Sequence, residues 1–167
     1  MRVRAAPGQL RGFTLIELLV VVAIIVVIVG LAGAQLARGP ADIVREESEH
    51  LALLLRAARQ EAILQGRVFA FGAGRESYRF LRLERNGRLK VTSGDELLRP
   101  QRLAAGIVIE AFQVEGAAET AKDTPQDGVV FLPSGELPAF HIVLKSGGAR
   151  WSVVGAPDGT IRAQAVS

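Results

Sequence analysis

Seventeen consecutive residues, LLVVVAIIVVIVGLAGA from 18 to 34, carry no charged or hydrogen-bonding side chain. A run of this kind cannot form the surface of a globular domain and must be covered by lipid, by a core or by other chains. Taken with residues 13–17 it reaches 22 residues. As an α-helix that is about 33 Å, enough for the ~30 Å hydrocarbon core of a bilayer. A membrane-spanning helix is therefore expected here. Glu17 disturbs the pattern, because a carboxylate at membrane depth costs roughly 2.5–3.5 kcal/mol on insertion scales. Before the run stand Arg2, Arg4 and Arg11, with Pro7 and Gly8 interrupting any helix. That basic flank predicts a cytoplasmic N-terminus and an exported remainder. An ordinary secretory signal cut at the small residues Ala32 to Ala34 is an alternative, but it leaves Glu17 without a reason.

Composition bears on the part of the chain beyond the apolar run. The chain of 167 residues has a formal net charge of +3. The three leader arginines account for that excess, leaving seventeen basic against seventeen acidic side chains. The basic pI thus gives no warrant for a nucleic-acid surface on the rest of the chain. Cysteine is absent, which excludes disulfides, thiolate metal sites and cysteine nucleophiles. The exported part must hold by packing alone.

Gly39-Pro40 predicts a kink or break, since proline removes a donor and disfavours helix at the residue before it. Asp42 is placed to cap a restart. Over residues 43–65 the apolar spacing is helical: Val44, Leu51, Leu55, Ala58 and Ala62 fall on one face, widened by Leu54 and Ile63. Arg45, Glu46, Glu49, Arg56, Arg59 and Glu61 form the opposite, solvated face. Gly66 closes the helix.

Strand texture begins after Gly66. Strands are expected at 67–71, 78–84, 89–92, 107–114, 129–132, 140–144, 151–154 and 160–165. Gly72 to Arg75 is a turn, and Tyr78 and Phe80 point inward with Arg79 and Arg82 outward. Asn86-Gly87 signals a two-residue hairpin. PSGEL, SGGA and APDG mark later turns, and a polar stretch (93–102) and a long loop (115–127) complete the head. The fold class read from this order is α+β, a long N-terminal helix packed on an antiparallel, β-sandwich-like head. The expected division is 1–12 leader, 13–36 membrane and assembly half of the helix, 37–66 amphipathic half, and 67–167 β-rich head.

The stretch RGFTLIELLVVVAII resembles the type III signal of type IV pilins and type II secretion pseudopilins. Gly12, Phe13, Thr14, Leu15 and Glu17 carry the match. LALLLRAARQEAILQGRVFAF and the C-terminal run GVVFLPSGELPAFHIVLK…ARWSVVGAPDGTIRA are similar to the GspH/FimT family of minor pseudopilins. The resemblance implies a type IV pilin-like fold and cleavage between Gly12 and Phe13 by a prepilin peptidase, which also N-methylates Phe13. It implies assembly through Glu17, paired with a terminal amine. One helical turn separates Glu17 from Phe13, so pairing within the chain is open beside pairing with a neighbouring subunit. A Glu17 that merely reaches the headgroup level is the plainer alternative. The implied partners are other pseudopilins of the pseudopilus tip and shaft, the prepilin peptidase/methyltransferase, the inner-membrane assembly platform, and membrane lipid before assembly. Further candidates are the secreted substrate and the outer-membrane secretin.

Candidate chemistry is thin. His50 and His141 join no ligand-spaced pattern and read as structural. Ser134 and Ser146 lack the frame of a nucleophile elbow, and Gly72-Ala73-Gly74 lacks the strand-to-helix setting of a phosphate loop. Glu115, Glu119, Asp123 and Asp127 match no cation-loop spacing and read as a solvated loop. Trp151 reads as a packing residue. No catalytic residue, cofactor or metal is expected. Of three function classes the first is a structural subunit, a minor pseudopilin at the tip of a type II secretion pseudopilus, and the third an anchored periplasmic enzyme or binding module with an incidental Glu17. The second class is a type IV pilus minor pilin of FimT type, some of which bind DNA. Its cationic tail is missing, since APDGTIRAQAVS holds only Arg162, but Arg79, Arg82, Arg85, Arg88 and Lys90 cluster on one hairpin and keep it in view. Nucleic acid is weighed against as a partner.

Overall fold

The computed structural model describes residues 15–36, 39–92, 97–116 and 128–166, with the side chains of 29–36 left aside. The expected leader (1–12) and Phe13 and Thr14 lie outside the described residues, as do Glu119, Asp123 and Asp127 of the long loop. The chain divides into two compact units, residues 1–38 and 39–167.

The first unit holds helix α1, Leu15–Leu36. Its side chains from Leu15 to Ile28 are all exposed. Among the described residues no helix is by itself long and apolar enough to cross a membrane. The described side chains of α1 cover 14 residues, or about 21 Å of helix.

The second unit opens with helix α2, Pro40–Gln65. Gly39 is its N-cap in extended backbone, and its carbonyl accepts from the Asp42 and Ile43 amides at 3.0 and 3.2 Å. Asp42, expected as the cap, instead sits within the first turn. A carboxylate there complements the positive end of the helix. Pro40 at the first helical position wastes no donor, which is why the restart falls on it. Gly66 in left-handed backbone ends the helix. The buried stripe of α2 is Val44, Ser48, Leu51, Ala52, Leu54, Leu55, Ala58 and Ala62. Ser48 fits because its hydroxyl donates to the Val44 carbonyl at 2.7 Å. Ile63 is 39% exposed and does not widen the stripe.

Among the described residues nine strands follow: β1 Phe69–Ala73, β2 Ser77–Leu83, β3 Leu89–Val91, β4 Gln101–Arg102, β5 Ile107–Val114, β6 Val129–Phe131, β7 Phe140–Ser146, β8 Ala149–Gly155 and β9 Ile161–Ala165. They form two antiparallel sheets. One runs β3-β2-β1-β6, with β4 on the open end of β2; the other runs β5-β7-β8-β9. Gly72 and Ala73, expected in a turn, belong to β1. Helix α2 packs on β7, β8 and β9 and also touches β1 and β6. One continuous core thereby joins Leu51, Leu54 and Leu55 of the helix to Phe69, Phe71 and Phe80 of the first sheet and Ile142, Leu144 and Val153 of the second. Phe71 sits where the sheets meet, its ring 5.3 Å from Phe80 and 5.8 Å from Phe112.

Three connections, the β2–β3 and β8–β9 hairpins and the β6–β7 link between the sheets, share one turn. Glu84, Leu132 and Ala156 each accept through their carbonyls from the amide of a glycine three residues on, and each donates to the carbonyl of the residue after that glycine. The glycines, Gly87, Gly135 and Gly159, have φ of 77°, 85° and 88°. These are three-residue loops, a type I turn closed by a left-handed residue. Asn86-Gly87 is therefore part of a three-residue loop, Arg85-Asn86-Gly87, and not a two-residue one. Strand β5 contains a bulge between Ile109 and Ala111.

Candidate functional site

Glu17 lies in the first turn of α1, where a carboxylate is favoured by the helix dipole. Its predicted companions Gly12 and Phe13 fall outside the described residues, so their roles remain expectations from sequence.

The cations of the β2–β3 hairpin do not form one surface. Strand residues alternate faces, and the core face of β2 is that of Tyr78 and Phe80. Arg82 shares their parity, pairs across β1 with Phe69, and holds its Nε buried without a hydrogen-bond partner. Its outward placement is thus corrected: Arg79 points away from the core and Arg82 does not. Lys90 lies 3.6 Å from Glu84 and is neutralised there. Two of the five hairpin cations are thus withdrawn from any run that could follow a phosphate backbone, which weakens the observation that favoured DNA.

Two arginines of the supposed solvated face of α2 are structural. Arg56 donates to the Ile161 carbonyl at 2.7 Å, and Arg59 donates through Nε to the Gly135 carbonyl at 2.7 Å. A methyl group added at Gly159 would run into the same Arg59 guanidinium. Arg59 therefore holds one of the three repeated turns by a hydrogen bond and lies against a second. The repetition of Pro-x-Gly in PSGEL and APDG was the available signal, but nothing in the sequence ties either turn to residue 59.

On the outer face of the second sheet Glu110, at the bulge, receives Arg150 Nε at 2.5 Å, Arg150 Nη2 at 3.0 Å and Lys145 Nζ at 3.1 Å. The Arg150 bonds, then the Lys145 bond, hold its carboxyl down to about 2. IVIEAFQV carries a partial mark of the bulge: Ile107 and Ile109 are odd-numbered and Phe112 and Val114 even-numbered, with Glu110 between the pairs, although Val108 and Ala111 are apolar on the other parities. At the N-terminal end of α2, burial pushes Glu47 up from its ordinary value, opposed by His50 and by the Ala104 amide. Burial, then the Glu47 charge, also raises Tyr78, so its hydroxyl stays a donor, to Gln101 Oε1 at 3.2 Å.

The remaining candidates are dispersed. His50 is exposed on α2, and His141 lies in β7 opposite Val154 and Gln113. Ser134 is exposed and bonds Glu136 at 3.1 Å, whereas Ser146 is buried at the end of β7. Gly72 to Gly74 close a strand and precede no helix. Trp151 packs against the core between Leu144 and Ala165. Among the described residues no three His, Asp or Glu side chains gather as a metal site.

A surface with a different character is a cavity of about 540 Å³ on the first sheet, walled by Arg79, Arg102, Ser77, Gln101 and Pro100 over the backbone of Gly72 and Gly74. Pairing explains it. Arg102 lies directly opposite Ser77, and Arg79 opposite Gly72, so these side chains stand on one face.

Comparison with known proteins agrees with this architecture. The family "Type II transport protein GspH" matches residues 47–159, and the "Prokaryotic N-terminal methylation motif" matches residues 10–33. The type II secretion system protein H of Pseudomonas aeruginosa is 35% identical over 147 residues, covering 83% of this chain and 84% of that one. The crystal structure of the Vibrio cholerae minor pseudopilin EPSH has the same fold, with a TM-score of 0.64 at 22% identity over 77% of this chain and 98% of that one. The P. aeruginosa type IV minor pilin FimU is a more distant fold relative, with a TM-score of 0.51 at 16% identity over 72% and 87% of the two chains. From the head match over 47–159 and the identity to a protein H along most of both chains, the chain belongs to the GspH family, the minor pseudopilins of type II secretion.

Proposed function

We propose that this chain is a non-catalytic structural subunit at the tip of the pseudopilus. In this reading α1 is first a single-pass anchor in the bacterial inner membrane, with its N-terminus cytoplasmic and the head periplasmic, and then the chain's shaft in the assembled fibre. The observation that carries it is one juxtaposition: the methylation motif over residues 10–33 covers an apolar helix whose described side chains are all exposed, ahead of a head that folds on its own core. Such a helix needs lipid or other helices around it. Both are available to a subunit that leaves a membrane for a fibre.

Cleavage between Gly12 and Phe13 would place a positive amine at the membrane edge, and Glu17 is the acid available to meet it. A buried ion pair of this kind contributes little as a pair, but removing one partner strands the other charge at a cost of about 3–5 kcal/mol. The pairing therefore suits a joint between subunits, formed only when both charges are present. Other pseudopilins, the prepilin peptidase and the assembly platform are the partners this role requires; the secretin or the cargo would meet the head.

Mass spectrometry of the mature protein tests the reading. A chain that begins at methylated Phe13 is expected, and a start near Gln35 would overturn it in favour of ordinary signal cleavage. For the joint, Glu17→Ala is expected to insert into the membrane normally while cross-linked capture of partner pseudopilins falls at least about tenfold, given the cost of an unpaired charge. Undiminished capture would remove Glu17 from the joint.

A further inference from the structure

We propose that the cavity between β1, β2 and β4 is a carboxylate-recognition site that takes an acidic peptide segment of a partner protein. Arg79 and Arg102 project from the same sheet face, Arg102 from the position opposite Ser77 and Arg79 from the next outward position of β2. Diagonal neighbours of this kind stand about 7–8 Å apart at the backbone, so two guanidinium groups can converge on one carboxylate or engage two successive ones. Both residues are exposed. Neither makes an ion pair or a side-chain hydrogen bond among the described residues, although Arg56, Arg59 and Arg150 of the same unit all do. Glycine at 72 and 74 puts bare backbone between them, leaving the ~540 Å³ space open to an extended segment. Ser77 adds a hydroxyl donor.

Charge complementarity selects the occupant. Planar, bidentate guanidinium donors fit carboxylates and phosphates equally. A nucleic acid presents one phosphate every ~3.4 Å per strand and needs a track of cations. Of the other β2–β3 hairpin cations, Arg82 stands on the opposite face and Lys90 is paired with Glu84. Arg75 and Arg99 adjoin the lining residues Gly74 and Pro100 in the chain but are not part of the lining. Two arginines around a single cavity suit two or three carboxylates. The site is independent of how the N-terminus is processed, since every residue in it belongs to the head.

The test uses the full chain in detergent micelles and a fluorescently labelled hexaglutamate, read by anisotropy at low salt. Binding is expected, and Arg79→Gln and Arg102→Gln are each expected to weaken it about fivefold, the scale of one exposed ion pair. Arg85→Gln and Arg88→Gln, exposed cations outside the cavity, should leave it within about twofold on the same scale. Neither cavity arginine has a partner to lose among the described residues, so the thermal midpoints of both variants should match the parent and separate binding from folding. The proposal is overturned by no binding of hexaglutamate, by equal losses in all four variants, or by equal affinity for hexaglutamine. A single-stranded oligonucleotide bound more tightly than hexaglutamate, with the same two variants weakening it, would overturn it in favour of phosphate.

Discussion

Two carboxylates of the head are displaced from their ordinary titration in opposite directions, and each has a readable cause. Glu110 is exposed, so its lowering to about 2 rests on the Arg150 and Lys145 hydrogen bonds and not on burial. Its stabilising contribution is present above the ordinary carboxylate value and is lost as pH falls through about 2. Solvent screening keeps that contribution small. An NMR titration of the side-chain carboxyl at low salt should find the depressed midpoint, and Arg150→Gln should return it most of the way toward 4.5. Glu47 is the reverse case. Burial raises it, so the folded state is favoured while the group is protonated and loses that advantage as pH rises through the folded value. Glu47→Gln removes the burdened charge, and the variant should resist urea better than the parent at pH above Glu47's titration, with the difference vanishing well below it. An equal gain at all pH values would assign the effect to packing. Neither displacement was legible in the sequence, because each depends on remote packing: Glu110 on Lys145 and Arg150, 35 and 40 positions on, and Glu47 on burial within the folded head.

At the scale of elements, helix α2 and the three repeated turns divide the local from the remote. The apolar spacing of α2 sufficed to place its buried face, since a 3.6-residue period is a local property. Its polar face was misjudged, because Arg56 and Arg59 look like solvated cations until turns some 75 to 105 residues distant are folded against them. Arg59→Ala should lower stability by about 1.5–3 kcal/mol, the range for a hydrogen bond to a charged group. A thermal midpoint lower by several degrees is the expected readout. The turns provide an internal comparison. Gly87 and Gly159 have φ of 77° and 88°, but nothing stands within 4 Å of a methyl group at Gly87, whereas one at Gly159 meets Arg59. Gly87→Ala should cost about 1–2 kcal/mol for left-handed backbone. Gly159→Ala should cost about 1–3 kcal/mol more for crowding, and pairing it with Arg59→Ala should recover that excess. Failure of the double variant to recover it would show that Arg59 is not the obstacle.

The whole molecule separates into an apolar helical unit and a head whose core joins a helix to two sheets. Phe71 is the side chain that most directly links those sheets, being fully buried and in ring contact with Phe80, Tyr78 and Phe112. Phe71→Ala is expected to cost the head about 3–5 kcal/mol, in a single cooperative urea transition. A biphasic transition would mean that the sheets unfold separately. Residue patterns alone determined the exposed apolar helix, the break at Gly39-Pro40, the buried stripe of α2 and most strand positions. Each of these rests on periodicity or on the backbone limits of glycine and proline, which act over a few residues. Only the tertiary structure decided that Arg82 lies opposite Phe69 with its Nε buried, that Arg59 lies against two turns, and that Arg79 and Arg102 stand unpaired among the described residues over a glycine floor. Those facts depend on strand register and on which distant segments meet, and pairing between remote segments is fixed by burying a shared core, not by local preference.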